Sequence, residues 1–153
     1  NVQGDEIFVD PKAITKVVSL TKSNLKNNLI INCYTKIFNR KDFVSKSVPK
    51  VILDKNDNLL YMSRAPIPSS KKDNFNKSNK QVCIYGYPAQ VLKKNLFNKK
   101  SKNEKFEDIE ILRFLENGFK IKMIYAKGSK LAIYTHEDLI NAKKILIKKF
   151  QAN

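Results

Sequence analysis

Strands alternate with helices along this chain, and that order predicts an α/β layered domain. Three observations carry the expectation. Apolar, β-branched runs end in turn residues, apolar positions between them recur at i, i+3 and i+4, and capping residues mark the helix starts. The 153 residues fit a single domain over 1–153, and 42% hydrophobic content is enough to fill one core.

Asn1–Gln3 reads as a short strand that bends at Gly4 and delivers Asp5 and Glu6. Asp10 followed by Pro11 is a capping carboxylate and a first-turn proline. Ile14, Val17, Val18 and Thr21 then fall on one face, predicting a helix from Pro11 to Asn24. Leu29–Ile37 is apolar and β-branched, a buried strand. Val48–Asp54 and Leu59–Arg64 flank "KNDN" and form a hairpin. Ser69–Lys80 has one aromatic and no aliphatic residue, and predicts a mobile loop.

Gln81–Tyr87 resumes a central strand, and Pro88 opens a short helix through Val91 and Leu92. From Glu104, the spacing of Phe106, Ile109, Leu112 and Leu115 predicts one helix, closed by Gly118 just past its end. Phe119–Ala126 alternates as a strand, and Lys130–Thr135 is a second one. Thr135 with Asp138 starts a final helix that ends near Phe150.

The formal charge is +16, which invites a nucleic-acid partner. Its makeup argues otherwise. Only Arg40, Arg64 and Arg113 among the 30 basic residues are Arg, and Asn is abundant at 17 residues. Phosphate- and base-reading surfaces favour the Arg fork, so this composition reads as a solvated lysine surface. No apolar run reaches the roughly 18 residues of a membrane span. Cys33 and Cys83 sit 50 positions apart in apolar runs, matching neither a CxxC metal pattern nor a disulfide framework. Buried reduced thiols and a cytoplasmic protein are the expectation.

Ligands of α/β sheets bind where strands end, and Asp5 beyond Gly4 fits such a position. A carboxylate there can hold Mg²⁺ together with phosphate oxygens of a substrate, or Gly-Asp-Glu is a turn with solvated acids. Further stretches bear on the choice. "NVQGDE", "VILDKNDNLLYMSRAPIP", "CIYGY", "EILRFLENGFKIK" and "THEDL" follow one another in the order, and at similar intervals, seen in the cytidylyltransferases that activate 3-deoxy-manno-octulosonate (Kdo). From Asn1 to about Phe150 the chain resembles the C-terminal three-fifths of such a CMP-Kdo synthetase, in the acylneuraminate cytidylyltransferase-like superfamily.

The resemblance implies a mixed-sheet, three-layer nucleotidyltransferase fold lacking its N-terminal nucleotide-binding segment. It implies sugar-nucleotide synthesis, in which the anomeric hydroxyl of the sugar acid attacks the α-phosphate of CTP beside Mg²⁺. Carried over by position, Asp5 is the metal carboxylate, and Asp5 and Arg64 are the catalytic pair. Gln3, Arg64, Tyr85 and Glu110 contact the sugar, with Arg64 facing its carboxylate. Arg113 is a structural ion-pair partner. The resemblance also implies a homodimer built from Lys50–Tyr87, with Tyr61, Met62 and Ile67 buried in the contact.

Departures accompany the match. Tyr134 stands where the family has a second metal aspartate, Gln81 where it has histidine, Ile111 where it has glutamine and Ile7 where it has proline. His136 replaces a proline at the last helix's start and reads as an exposed first-turn residue. The chain has 4 Gly and no Gly-X-Gly or Gly-rich Lys loop to cradle the phosphates of CTP. Two readings follow: an incomplete, weakly active or inactive cytidylyltransferase, or a non-catalytic dimerising remnant or basic binding module.

Overall fold

The computed structural model describes residues 1–4, 8–72, 75, 78–93, 99–127 and 136–151. Asp5, Tyr134 and the strand expected over Lys130–Thr135 lie outside them. In chain order the elements are α1 (Pro11–Ser23), β1 (Ile30–Ile37), α2 (Arg40–Val44), β2 (Lys50–Leu53), β3 (Leu59–Ser63), β4 (Ser78–Gly86), α3 (Ala89–Leu92), α4 (Lys102–Glu107), α5 (Ile111–Glu116), β5 (Ile121–Tyr125) and α6 (His136–Gln151). A short 3₁₀ turn over Leu25–Asn27 follows α1. The strands form a mixed sheet in the order β3-β2-β4-β1-β5, with β1 and β5 parallel and the other pairs antiparallel.

Alternation along the central strands sorts side chains onto the two faces. Ile31 and Cys33 of β1, Val82 and Ile84 of β4 and Ile124 of β5 pack under Ala13 and Val17 of α1. On the other face, Ile30, Cys83, Tyr85 and Met123 join Val51, Leu59 and Met62 of the hairpin and Leu112 and Phe114 of α5 in the larger core. Each fully buried side chain of this kind stabilises by about 1.5–3 kcal/mol. Gly86 lets α1 sit this close, because a Cβ there would come within 1.9 Å of Thr21 Oγ1.

Asp10 caps α1 by accepting from Lys12 N at 2.9 Å, and the helix ends one residue before the predicted boundary. The hairpin forms as expected. The Asp54 carboxylate accepts from the backbone of Asn56 and Asn58, and Asp57 reaches φ 55° in the turn. Both cysteines are buried and are not joined in a disulfide. His136 is exposed at the start of α6.

Four expectations are corrected. Asn1–Gln3 does not form a full strand but makes an isolated antiparallel bridge, Val2 to Ile84 of β4. β4 begins at Ser78, so the segment expected as loop over Ser69–Lys80 loses its last three residues to the sheet. Met62 is fully buried in the core of its own chain, so a dimer contact is not what covers it.

The single helix expected from Glu104 is two helices, α4 and α5, separated at Asp108, which adopts a left-handed φ of 50°. Phe106, counted on the apolar stripe, is 79% exposed. The cause of the break is tertiary. Arg64 donates from Nε to Glu107 O at 2.6 Å and from Nη2 to Asp108 O at 2.9 Å, satisfying carbonyls at the end of α4. Past α5, Gly118 has φ 77° and Phe119 N bonds Phe114 O, as the glycine predicted. α2 was not legible in advance; Asn39 caps it by accepting from Asp42 N at 2.7 Å.

Candidate active site

β4 has β1 along one flank, and its other flank is shared by two segments. β2 pairs there with Asn79 and Lys80, while the N-terminal segment bridges at Ile84. Gln81 N donates to Pro49 O and Gln3 N to Cys83 O, each at 3.1 Å, so the two segments meet β4 on either side of a notch. A cleft of about 340 Å³ opens at this notch. Its wall comes from Gln3, from Ser47 and Pro49 before β2, from Arg64 after β3, from Gln81, Cys83 and Tyr85 of β4, and from Asp108–Glu110 between α4 and α5. A larger open hollow of about 840 Å³ lies beyond the N-terminal ends of β1 and β5; Lys120 is the one ionisable residue in its lining. The smaller cleft gathers the chemistry.

Gln3, Arg64, Tyr85 and Glu110, all expected as sugar contacts, therefore line one cleft. Arg64 is firmly held. Besides the carbonyls of Glu107 and Asp108, its Nη1 donates to Lys46 O at 2.8 Å, and its backbone N donates to the Glu107 carboxylate at 2.8 Å. Among the described residues, three of the five guanidinium donors thus hold the walls together, and two have no acceptor. Tyr85 is buried and stacks on Tyr87 with ring centroids 5.7 Å apart. Burial raises the Tyr85 phenol far above its ordinary pKa, so it stays a neutral hydrogen-bond donor. Glu110 is exposed at the rim.

Arg113 does serve as a structural ion-pair partner. It forms a buried ion pair with Glu104 of α4, and its Nε donates to Glu104 Oε2 at 2.7 Å. Ile111 is fully buried in the larger core, so this position turns away from the cleft.

Two residues behind the wall escaped the sequence reading. Lys50 is fully buried, and its Nζ donates to Ser45 O at 2.7 Å and Arg64 O at 2.6 Å. Burial, with Arg64 adding repulsion, lowers its pKa from 10.5 to about 8. Asn32 is fully buried in β1, where it donates to two backbone carbonyls of β4 and accepts from the Gln81 side chain. The available signal was a single charge or amide inside an apolar run, which burial tolerates only with partners.

Among the described residues, no group of three or more His, Cys, Asp or Glu side chains is placed to hold a metal. Nor, among them, is any helix long and apolar enough to cross a membrane.

The fold and cleft together define an α/β domain with a polar, Arg-anchored binding notch on a mixed sheet. In solved structures, this fold is similar to that of a CMP:2-keto-3-deoxy-manno-octonic acid synthetase complexed with CTP. The TM-score is 0.84 and the identity 23%, over 97% of this chain and 61% of that one. The chain belongs to the cytidylyltransferase family, whose model matches residues 1–124. It is 37% identical over 152 residues to the 3-deoxy-manno-octulosonate cytidylyltransferase of Thermodesulfovibrio yellowstonii, covering 95% of this chain and 59% of the relative. The enzyme of the same name from Nitratiruptor is 38% identical over 146 residues, covering 93% and 60%. This chain thus spans about three-fifths of the length of these relatives.

Proposed function

We propose that the cleft is the acidic-sugar site of a cytidylyltransferase that transfers CMP from CTP to Kdo or a related sugar acid, in lipopolysaccharide precursor synthesis in the cytoplasm. One observation carries this reading: Gln3, Arg64, Tyr85 and Glu110, far apart in sequence, converge on one cleft in a chain of that family. The two remaining Arg64 donors face the sugar carboxylate, Glu110 accepts from sugar hydroxyls, and Gln3 and Tyr85 complete the wall. The anomeric oxygen then attacks the α-phosphorus of CTP, and pyrophosphate leaves. Mg²⁺ is assigned to Asp5 alone, where it would neutralise phosphate charge. A homodimer belongs to the same reading, supported by the edge strand β3, on which Leu60 is 56% exposed beside half-buried Tyr61.

Calorimetry on the purified chain tests the proposal. Kdo is expected to bind, and Arg64→Ala to abolish that binding. CTP and Mg²⁺ are expected to give no measurable heat, since no Gly-rich phosphate loop occurs in the 153 residues. Micromolar CTP binding by this chain would overturn the division of labour, and absence of Kdo binding would overturn the site.

A further inference from the structure

Asn32 lies behind the cleft rather than in it, on the same face of the sheet as Gln81, Cys83 and Tyr85. It occupies a bulge: Asn32 pairs with Tyr85 and Cys33 with Val82, leaving two β4 residues without register partners on β1. Its Nδ2 fills that irregularity by donating to Val82 O at 3.2 Å and Ile84 O at 2.9 Å. Backbone carbonyls only accept, so these two bonds dictate which end of the Asn32 amide carries nitrogen. Its Oδ1 must then accept, and it does so from Gln81 Nε2 at 3.2 Å. The same Gln81 nitrogen donates to Tyr85 Oη at 3.0 Å.

We propose that Asn32 is a positioning residue that sets the hydrogen-bond polarity of the cleft wall, so that Gln81 offers an acceptor and Tyr85 a donor to the bound molecule. Both Gln81 Nε2 protons are directed at Asn32 and Tyr85, so the atom left for the cleft is Oε1, which no described donor reaches. That oxygen is not sealed in: among the described residues, the one buried side-chain polar atom without a partner is Asn28 Oδ1. Tyr85, having accepted from Gln81, still has its O–H to donate; its hydrogen-bond neighbour Cys83 also lines the cleft, and a thiol sulfur is a weaker acceptor than a ligand oxygen. A ligand matching this wall pairs a hydroxyl donor at Gln81 with a hydroxyl or carboxylate oxygen at Tyr85. A polyhydroxylated acid does both, and a fully deoxygenated chain does neither. The polarity stands on the protein alone; the ligand half rests on the sugar-acid reading above.

Side-chain amide exchange in the ¹⁵N-labelled wild-type chain tests the polarity. The Asn32 and Gln81 NH₂ pairs are expected to outlast exposed side-chain amides by about two orders of magnitude, as buried bonds do. Exchange of the Gln81 pair as fast as that of exposed amides overturns the proposal. Asn32→Leu, with Kdo as the probe, then separates positioning from mere packing. Positioning predicts loss of Gln81 protection and a roughly tenfold drop in Kdo affinity of the folded protein, the scale of one hydrogen bond. Unchanged protection and affinity in a folded Asn32→Leu chain sink the idea. Should that variant fail to fold, the wild-type exchange result decides. Failure of the wild-type chain to bind Kdo overturns the sugar-acid reading and leaves the exchange result to judge the polarity.

Discussion

Three basic side chains, Lys50, Arg64 and Arg113, are drawn into or against the interior, and each has backbone or carboxylate oxygens as its reason for being there. Lys50 is the most exacting. Its buried ammonium is disfavoured, so the native state releases this proton near pH 8 whereas the unfolded chain holds it to about 10.5. Between these values the unfolded state binds more protons, so this residue makes stability rise with pH across that window. Urea unfolding from pH 7.5 to 9.5 is expected to show the rise, and Lys50→Met to flatten it; an equal slope in the variant would remove Lys50 as the cause.

Glu104 has the opposite sign. Hydrogen bonding from Arg113 lowers its carboxyl pKa, so its stabilisation is present above the ordinary value of 4.5 and is lost as pH falls through the lower native value. Glu104→Gln leaves the buried Arg113 charge without its carboxylate and is expected to cost about 3–5 kcal/mol in urea unfolding at pH 7. A cost below about 1 kcal/mol would mean that water compensates the guanidinium.

Between secondary elements, α1 and β4 fit closely at Gly86. Gly86 is needed there for space: a Cβ would lie 1.9 Å from Thr21 Oγ1 and 2.9 Å from Val17 Cγ1. Gly86→Ala is expected to destabilise by about 1–3 kcal/mol through overpacking. Thr21→Ala in the same chain should recover part of that loss, because it removes the nearest atom. Additive losses in thermal melts would show that α1 shifts bodily instead.

The α4–α5 pair teaches a second lesson about elements. An uninterrupted helical spacing from Phe106 to Leu115 does not make one helix when a side chain 44 positions away, Arg64, bonds the carbonyls where it breaks. The break sets Asp108, Ile109 and Glu110 in the cleft wall, so the interruption and the site are one feature.

Over the whole molecule, the +16 charge is carried almost entirely by lysine, and much of it faces water. A solvated lysine surface predicts no duplex DNA or RNA binding at about 50 mM salt in a shift assay, where phosphate-driven association is strong. A shift at that salt which fades steeply as salt rises would favour the basic binding module instead.

Local order along the chain sufficed for the α/β class, the Asp10 cap, the "KNDN" hairpin and Gly118, because each depends on neighbours within a few residues. Motif order also marked Gln3, Arg64, Tyr85 and Glu110 as companions. Long-range packing alone settled the rest. It put Asn1–Gln3 and β2 on one flank of β4, broke the helix at Asp108, and hid Lys50 and Asn32 behind the cleft. Those outcomes turn on which carbonyl faces which donor across 14 to 84 positions of sequence, and no local spacing encodes that.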